Sequence, residues 1–263
     1  MAVSAEARVE SVEVAGARIE LLRGGHGRPV VWLHSVEGNL GWLSHQQLLA
    51  QQASVYAPSH PGFGASARPP WLETVADLAR FYLWFLQTLE LERVSLIGHF
   101  LGGWLAAEMA VMCPHIVERL VLVDAAGIKP REGEIADIFL LGQEETRRRS
   151  LLNASPEYQQ LFPPEPTPAQ QELQARNQEM AARLCWKPYM YDPSLPHLLP
   201  RLRVPTLVVW GAEDAIVHLE CGRLYQQAIP GARLETLDGC GHLPHVERPA
   251  AFAQLVGDFL RQA

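Results

Sequence analysis

Six short apolar runs, each closed by a turn and most followed by a helical pattern, constrain this chain more than any other feature. They are Val30 to His34, Ser54 to Pro58, Val94 to Gly98, Arg119 to Asp124, Thr206 to Trp210 and Arg233 to Leu237. Strands with few polar positions suit a parallel sheet, because helices cover both of its faces. Helical patterns at Thr74 to Leu91, Leu101 to Met112 and Pro249 to Arg261 supply that cover. Thr74 stands where an N-cap belongs. The expected class is α/β, with a mostly parallel central sheet, helices on both faces, and an edge hairpin from Arg8 to Leu22. The rhythm breaks between Ile128 and Leu202, which is crowded with prolines and short helical patterns. Residues 1–128 and 203–263 therefore read as a core and residues 129–202 as a helical cap. Such a cap lies over the carboxyl ends of the strands, where open sheets bind ligands.

A chain of 263 residues suits one core with one insertion. Its net charge of -7 argues against a surface that neutralises phosphates, so nucleic acid is not an expected partner. No apolar run is long enough to span a bilayer, and Met1 to Glu10 lacks a secretory apolar stretch. A cytoplasmic protein without membrane contact is expected. Cys113, Cys185, Cys221 and Cys240 are scattered, without metal-ligand spacing, and read as isolated reduced thiols. No cofactor or metal is expected; His34, Glu37 and His242 could be imagined around a metal, but no spacing rule supports it. Oligomeric state is left open.

Three stations at strand ends carry the chemistry. Val94 to Gly103 is a strand, a turn with Gly98 and Gly102 two residues either side of Phe100, and a helix start. That is the layout of a nucleophile elbow, in which the central residue sits in strained backbone so that its side chain stands alone. Asp214 follows the fifth run, and His242 follows the sixth within Gly239-Cys240-Gly241-His242-Leu243. The chain order is elbow, acid, base.

These motifs, with His34-Ser35-Val36-Glu37-Gly38 and His60-Pro61-Gly62-Phe63-Gly64-Ala65-Ser66, resemble the α/β-hydrolase superfamily over nearly the whole chain. The resemblance implies the α/β-hydrolase fold, a cap, a His242–Asp214 pair, and an oxyanion hole from the backbone N–H groups of Leu101 and Val36. Two departures fall on the machinery itself. Phe100 stands where the family usually has serine, and Ser35 where it usually has glycine. A benzyl group has no lone pair to attack a carbonyl, so the acyl-enzyme route is closed at that position.

Alternatives remain at each residue. Phe100 is either a packed plug in a relaxed turn or an aromatic wall of a working pocket. His242 and Asp214 are either a general base with its orienting acid or a pair kept by packing. Glu37 is a solvated loop carboxylate or an extra acid/base group. His34 buttresses the oxyanion loop, and His99 packs beneath the elbow. Ser35 and Cys240 are weak substitutes for the nucleophile, and Ser66 supports its turn. Ser35, Phe139, Leu140, Trp186, Tyr189, Met190 and Leu243 are candidate pocket residues, although a buried cap face would look the same. The expected ligand is a small, largely apolar carbonyl compound (ester, lactone or diketone). It would be handled without a covalent intermediate; the alternatives are a member that only binds it, or an inactive variant of an ordinary serine hydrolase.

Overall fold

The computed structural model describes residues 7–152, 156–163 and 165–262. Eight strands form one sheet: β1 (Arg8–Val14), β2 (Ala17–Gly25), β3 (Pro29–Leu33), β4 (Ser54–Pro58), β5 (Val94–His99), β6 (Val117–Val123), β7 (Thr206–Gly211) and β8 (Arg233–Leu237). Their order is β1-β2-β4-β3-β5-β6-β7-β8, with the β1–β2 hairpin antiparallel at one edge and β3 to β8 parallel. This is the mostly parallel sheet that the apolar runs imply.

Ten α-helices, with two short 3-10 turns at Pro114–Ile116 and Leu199–Arg201, are found among the described residues. They are α1 (Ser44–Leu49), α2 (Val75–Thr88), α3 (Leu101–Met112), α4 (Ile138–Ser150), α5 (Pro156–Leu161), α6 (Pro168–Cys185), α7 (Leu195–Leu198), α8 (Glu220–Ala228), α9 (Pro244–Glu247) and α10 (Pro249–Arg261). The start of α2 follows from its sequence: Thr74 accepts the Asp77 N–H at 3.0 Å, and Asp77 accepts the Thr74 N–H in return. Successive strand residues face opposite sides, so Leu96, Leu120 and Leu122 pack under α2 and α3, while Ile97, Val121 and Val123 pack with α10.

Between β6 and β7 the described residues form four α-helices, α4 to α7, a 3-10 turn at Leu199–Arg201, and no strand. Gly142 interrupts α4 with φ 73°. Among the described residues, no helix is long and apolar enough to cross a membrane. The four neighbouring strands β5, β6, β7 and β8 all end on one edge. Phe100, Asp124, Asp214 and His242 follow their carboxyl ends in that order. Parallel topology therefore converges residues that lie more than a hundred positions apart in the chain.

Candidate active site

The elbow is a strained strand-to-helix turn. Phe100 has φ 50° and ψ -107°, a conformation a bulky residue rarely adopts. A Cβ on Gly98 would run into the Gly102 carbonyl, and one on Gly102 into the Leu33 carbonyl, so neither position admits a side chain. The expectation of a relaxed turn at Phe100 is corrected: strand and helix still impose the sharp geometry. The plug half of that reading fits what is seen. The ring is 1% exposed and meets the His242 ring edge-on, with centroids 4.7 Å apart.

His242 lies in the loop after β8, its N–H donating to the Ser150 carbonyl at 2.8 Å. Its Nδ1 faces Asp214 Oδ2 at 2.8 Å, and both side chains are buried. The other Asp214 oxygen accepts the N–H groups of Ile216 at 2.7 Å and Val217 at 3.0 Å, which fixes the carboxylate. With Nδ1 protonated toward Asp214, the lone pair of His242 is on Nε2, which has no hydrogen-bond partner among the described residues. This is the electronic arrangement of a general base, held behind an aromatic ring. His99 Nε2 donates to the His242 carbonyl at 2.8 Å, and burial holds its imidazole well below the usual range.

Leu101 is the first residue of α3, where backbone N–H groups have no intrahelical partner and are free for an anion. The Val36 loop is set by two neutral histidines. His34 Nδ1 donates to the Ser35 carbonyl at 2.6 Å and its Nε2 accepts the His60 N–H at 2.8 Å. His60 Nε2 donates to the His34 carbonyl at 2.9 Å, and the two rings stack at 3.6 Å. Both His34 nitrogens are thus committed, which leaves none for a metal. Burial lowers His34 to about 3.

A cavity of about 110 Å³ lies between this edge and the helices α4 to α6. Val36, Glu37, Phe139 and Leu243 line it, whereas Phe100 and His242 do not. Glu37 is half-buried and accepts the Ser35 hydroxyl. Ser35 itself faces a smaller neighbouring cavity beside His99. Trp186 does not line this cavity: it is 53% exposed and packs against Phe139, with ring centroids 5.6 Å apart. Leu140 is also exposed, Met190 is buried in the core, and the Tyr189 hydroxyl donates to the Ala136 carbonyl at 2.6 Å. These are corrections: Leu140 lies on the outer face of α4, and Trp186, Tyr189 and Met190 lie in the turn after α6.

Cys240 is buried, with its thiol pushed up to about 11 by burial, and is unsuited to attack. Ser66 supports its turn by donating to the Ser59 carbonyl at 2.8 Å and accepting the Glu20 N–H at 3.0 Å. All four cysteines are free thiols. Sequence reasoning missed three residues. Arg147 and Tyr158 line the cavity from α4 and α5. Asp124 lies buried beside the dyad at the end of β6, and an ionisable residue closing an apolar strand was the available signal.

A parallel sheet with an elbow, an acid turn and a base turn at the carboxyl ends of its strands, in that chain order, is the scaffold of hydrolytic α/β enzymes. The profile of the Alpha/beta hydrolase family matches residues 14–255, and the chain belongs to that family. It is 31% identical over 278 residues to a 2-hydroxymuconate semialdehyde hydrolase of Pseudomonas sp., covering 95% of this chain and 92% of that protein. A 2-hydroxy-6-oxo-2,4-heptadienoate hydrolase of Pseudomonas putida is 29% identical over 268 residues, covering 90% of each. Among solved structures, a 2-hydroxy-6-oxo-6-phenylhexa-2,4-dienoate hydrolase from Rhodococcus superposes with a TM-score of 0.78 at 20% identity. It covers 98% of this chain and 100% of that one, and at this identity the likeness concerns the fold.

Proposed function

We propose that this protein takes up a small, largely apolar carbonyl compound, such as an ester, lactone or diketone, in the cavity beneath α4 to α6. Residues 129–202 then act as a cap, with core residues 1–128 and 203–263 below. The relatives' names support the carbonyl class, since they specify a semialdehyde and an oxo acid. A covalent acyl intermediate has no place in the cycle, because Phe100 carries no attacking atom.

The observation that carries the reading is the His242–Asp214 pair, 2.8 Å apart, with Nε2 unpartnered behind the Phe100 ring. When that ring rotates toward the cavity, Nε2 meets the bound compound or a water and removes a proton. The Leu101 and Val36 N–H groups would receive the oxyanion. A second reading is favoured by the burial of both Phe100 and His242: the protein binds the compound without converting it.

A panel of esters, lactones and diketones, assayed against wild type and His242→Ala, separates the two. Turnover lost in His242→Ala supports the base. Saturable binding without turnover supports the second reading, and equal turnover in both proteins refutes the first.

A further inference from the structure

The buried cluster behind the dyad holds one carboxyl group more than the base needs. Asp124, at φ 42°, is fully buried, and a carboxylate oxygen of it lies within 4.8 Å of the facing atoms of Asp214 and His242. Two carboxylates this close in a buried site cannot both ionise, and hydrogen bonding decides which keeps the proton. Asp214 is served by three donors: the Ile216 and Val217 N–H groups and the His242 ring. Among the described residues Asp124 is served by one, the Gly211 N–H at 2.9 Å on Oδ1, while its Oδ2 accepts no hydrogen bond.

We propose that Asp124 is a positioning residue of the dyad: a neutral carboxylic acid set against Asp214, it keeps the site to a single negative charge and leaves His242 an uncharged base. Two negative charges beside the ring would hold it as imidazolium, unable to accept a proton. The other titratable groups around Asp124 are Glu247 from α9, Cys240 from the loop after β8, and His99 from β5 beyond His242. Glu247 accepts the Gly241 N–H at 2.7 Å and adds negative charge on that side. Burial and the Asp214 charge both push the Asp124 carboxyl up. The inference rests on the general-base reading of His242, but its test does not use turnover.

Isotope-edited infrared spectroscopy of wild type is the first measurement, at alkaline pH where Glu108, raised to about 7, has ionised. The carbonyl stretch of a neutral carboxylic acid is expected there, and it should vanish in Asp124→Asn. Its absence from wild type overturns the proposal even if the variant fails to fold. The second measurement is the His242 titration by NMR. Removing a neutral acid leaves it unchanged in Asp124→Asn, whereas removing a charge lowers it by a unit or more and refutes the assignment. Added zinc that raises the wild-type melting temperature but not that of Asp124→Asn would also refute it, because a cation would then hold the proton's place. Should no substrate turn over in any variant, the general-base reading fails alone, and the spectra still decide the state of Asp124.

Discussion

Phe100→Ser tests whether the elbow is intact beneath its altered side chain. The ring is 1% exposed and packs edge-on against His242, so its removal takes a fully buried aromatic ring out of the packing. The cost is then mainly transfer of the ring: on the order of 150 Å² at about 25 cal/mol per Å² gives roughly 4 kcal/mol. Serine keeps the Cβ, so ~3 kcal/mol is expected, or roughly 6–12 °C in melting temperature for a chain of this size. In return the hydroxyl stands opposite His242 Nε2, which has no competing partner. Deleting such a nucleophile from a working triad costs about 10⁶-fold, and restoring one to an unadapted pocket should recover at least ~10³-fold. The assay is p-nitrophenyl ester hydrolysis with fluorophosphonate labelling, on protein shown to be folded by near-UV circular dichroism. Wild type should remain unlabelled, and the Phe100→Ser variant should label stoichiometrically. A folded variant that neither labels nor turns over would refute the claim that Asp214, His242 and the elbow are aligned.

Acid should unfold this protein early. Burial lowers His34 and His45 to about 3 and also lowers His60, His99 and His245, so the unfolded chain binds five more protons below the ordinary histidine range; raised Glu108 and Asp124 offset two. Net stability then falls by roughly 4 kcal/mol per pH unit below about 6, and tryptophan fluorescence should show unfolding near pH ~5; cooperative structure surviving at pH ~4 would contradict it. The Asp124 carboxyl has the opposite sign: its folded-state value is raised, so its burial costs nothing at low pH and progressively more as pH rises. The melting-temperature advantage of Asp124→Asn over wild type should therefore widen with pH, and a constant difference would oppose the assignment. Thr74→Ala should cost ~1 kcal/mol by removing the cap of α2, read from denaturant midpoints. Gly102→Ala should abolish folding, since its Cβ would meet the Leu33 carbonyl; soluble protein with native circular dichroism would show that the turn can relax.

The sheet was legible because a strand buried on both faces advertises itself as an apolar run, and the elbow because its glycines are sterically obligatory. The acid and base were legible from their place after such runs. The cavity wall was not, because helix rotation decides what an insertion presents, and rotation depends on long-range packing. On α4, Phe139 faces inward, whereas its neighbour Leu140 faces out. Arg147 and Tyr158 carry no pattern that separates a lining residue from a solvated one. Asp124 reads in the sequence as the last residue of a strand; only its distance from Asp214, ninety positions away, gives it chemistry.

The persistence of the elbow without its nucleophile has a physical cause. The Phe100 carbonyl accepts N–H groups from Gly103 and Trp104 at 3.1 Å and from Ala126 at 3.2 Å, and its own N–H donates to Val123 at 3.0 Å. At about 1 kcal/mol net for each bond, these four exceed or match the ~1–3 kcal/mol of strain in such a backbone. None of them involves the side chain, so replacing the residue removes the attacking atom without releasing the turn. The same reasoning holds for Asp214, whose backbone donors fix it with or without a substrate. A preserved geometry is therefore weak evidence of preserved catalysis in this chain, and the lone pair on His242 Nε2 is the feature on which present activity turns.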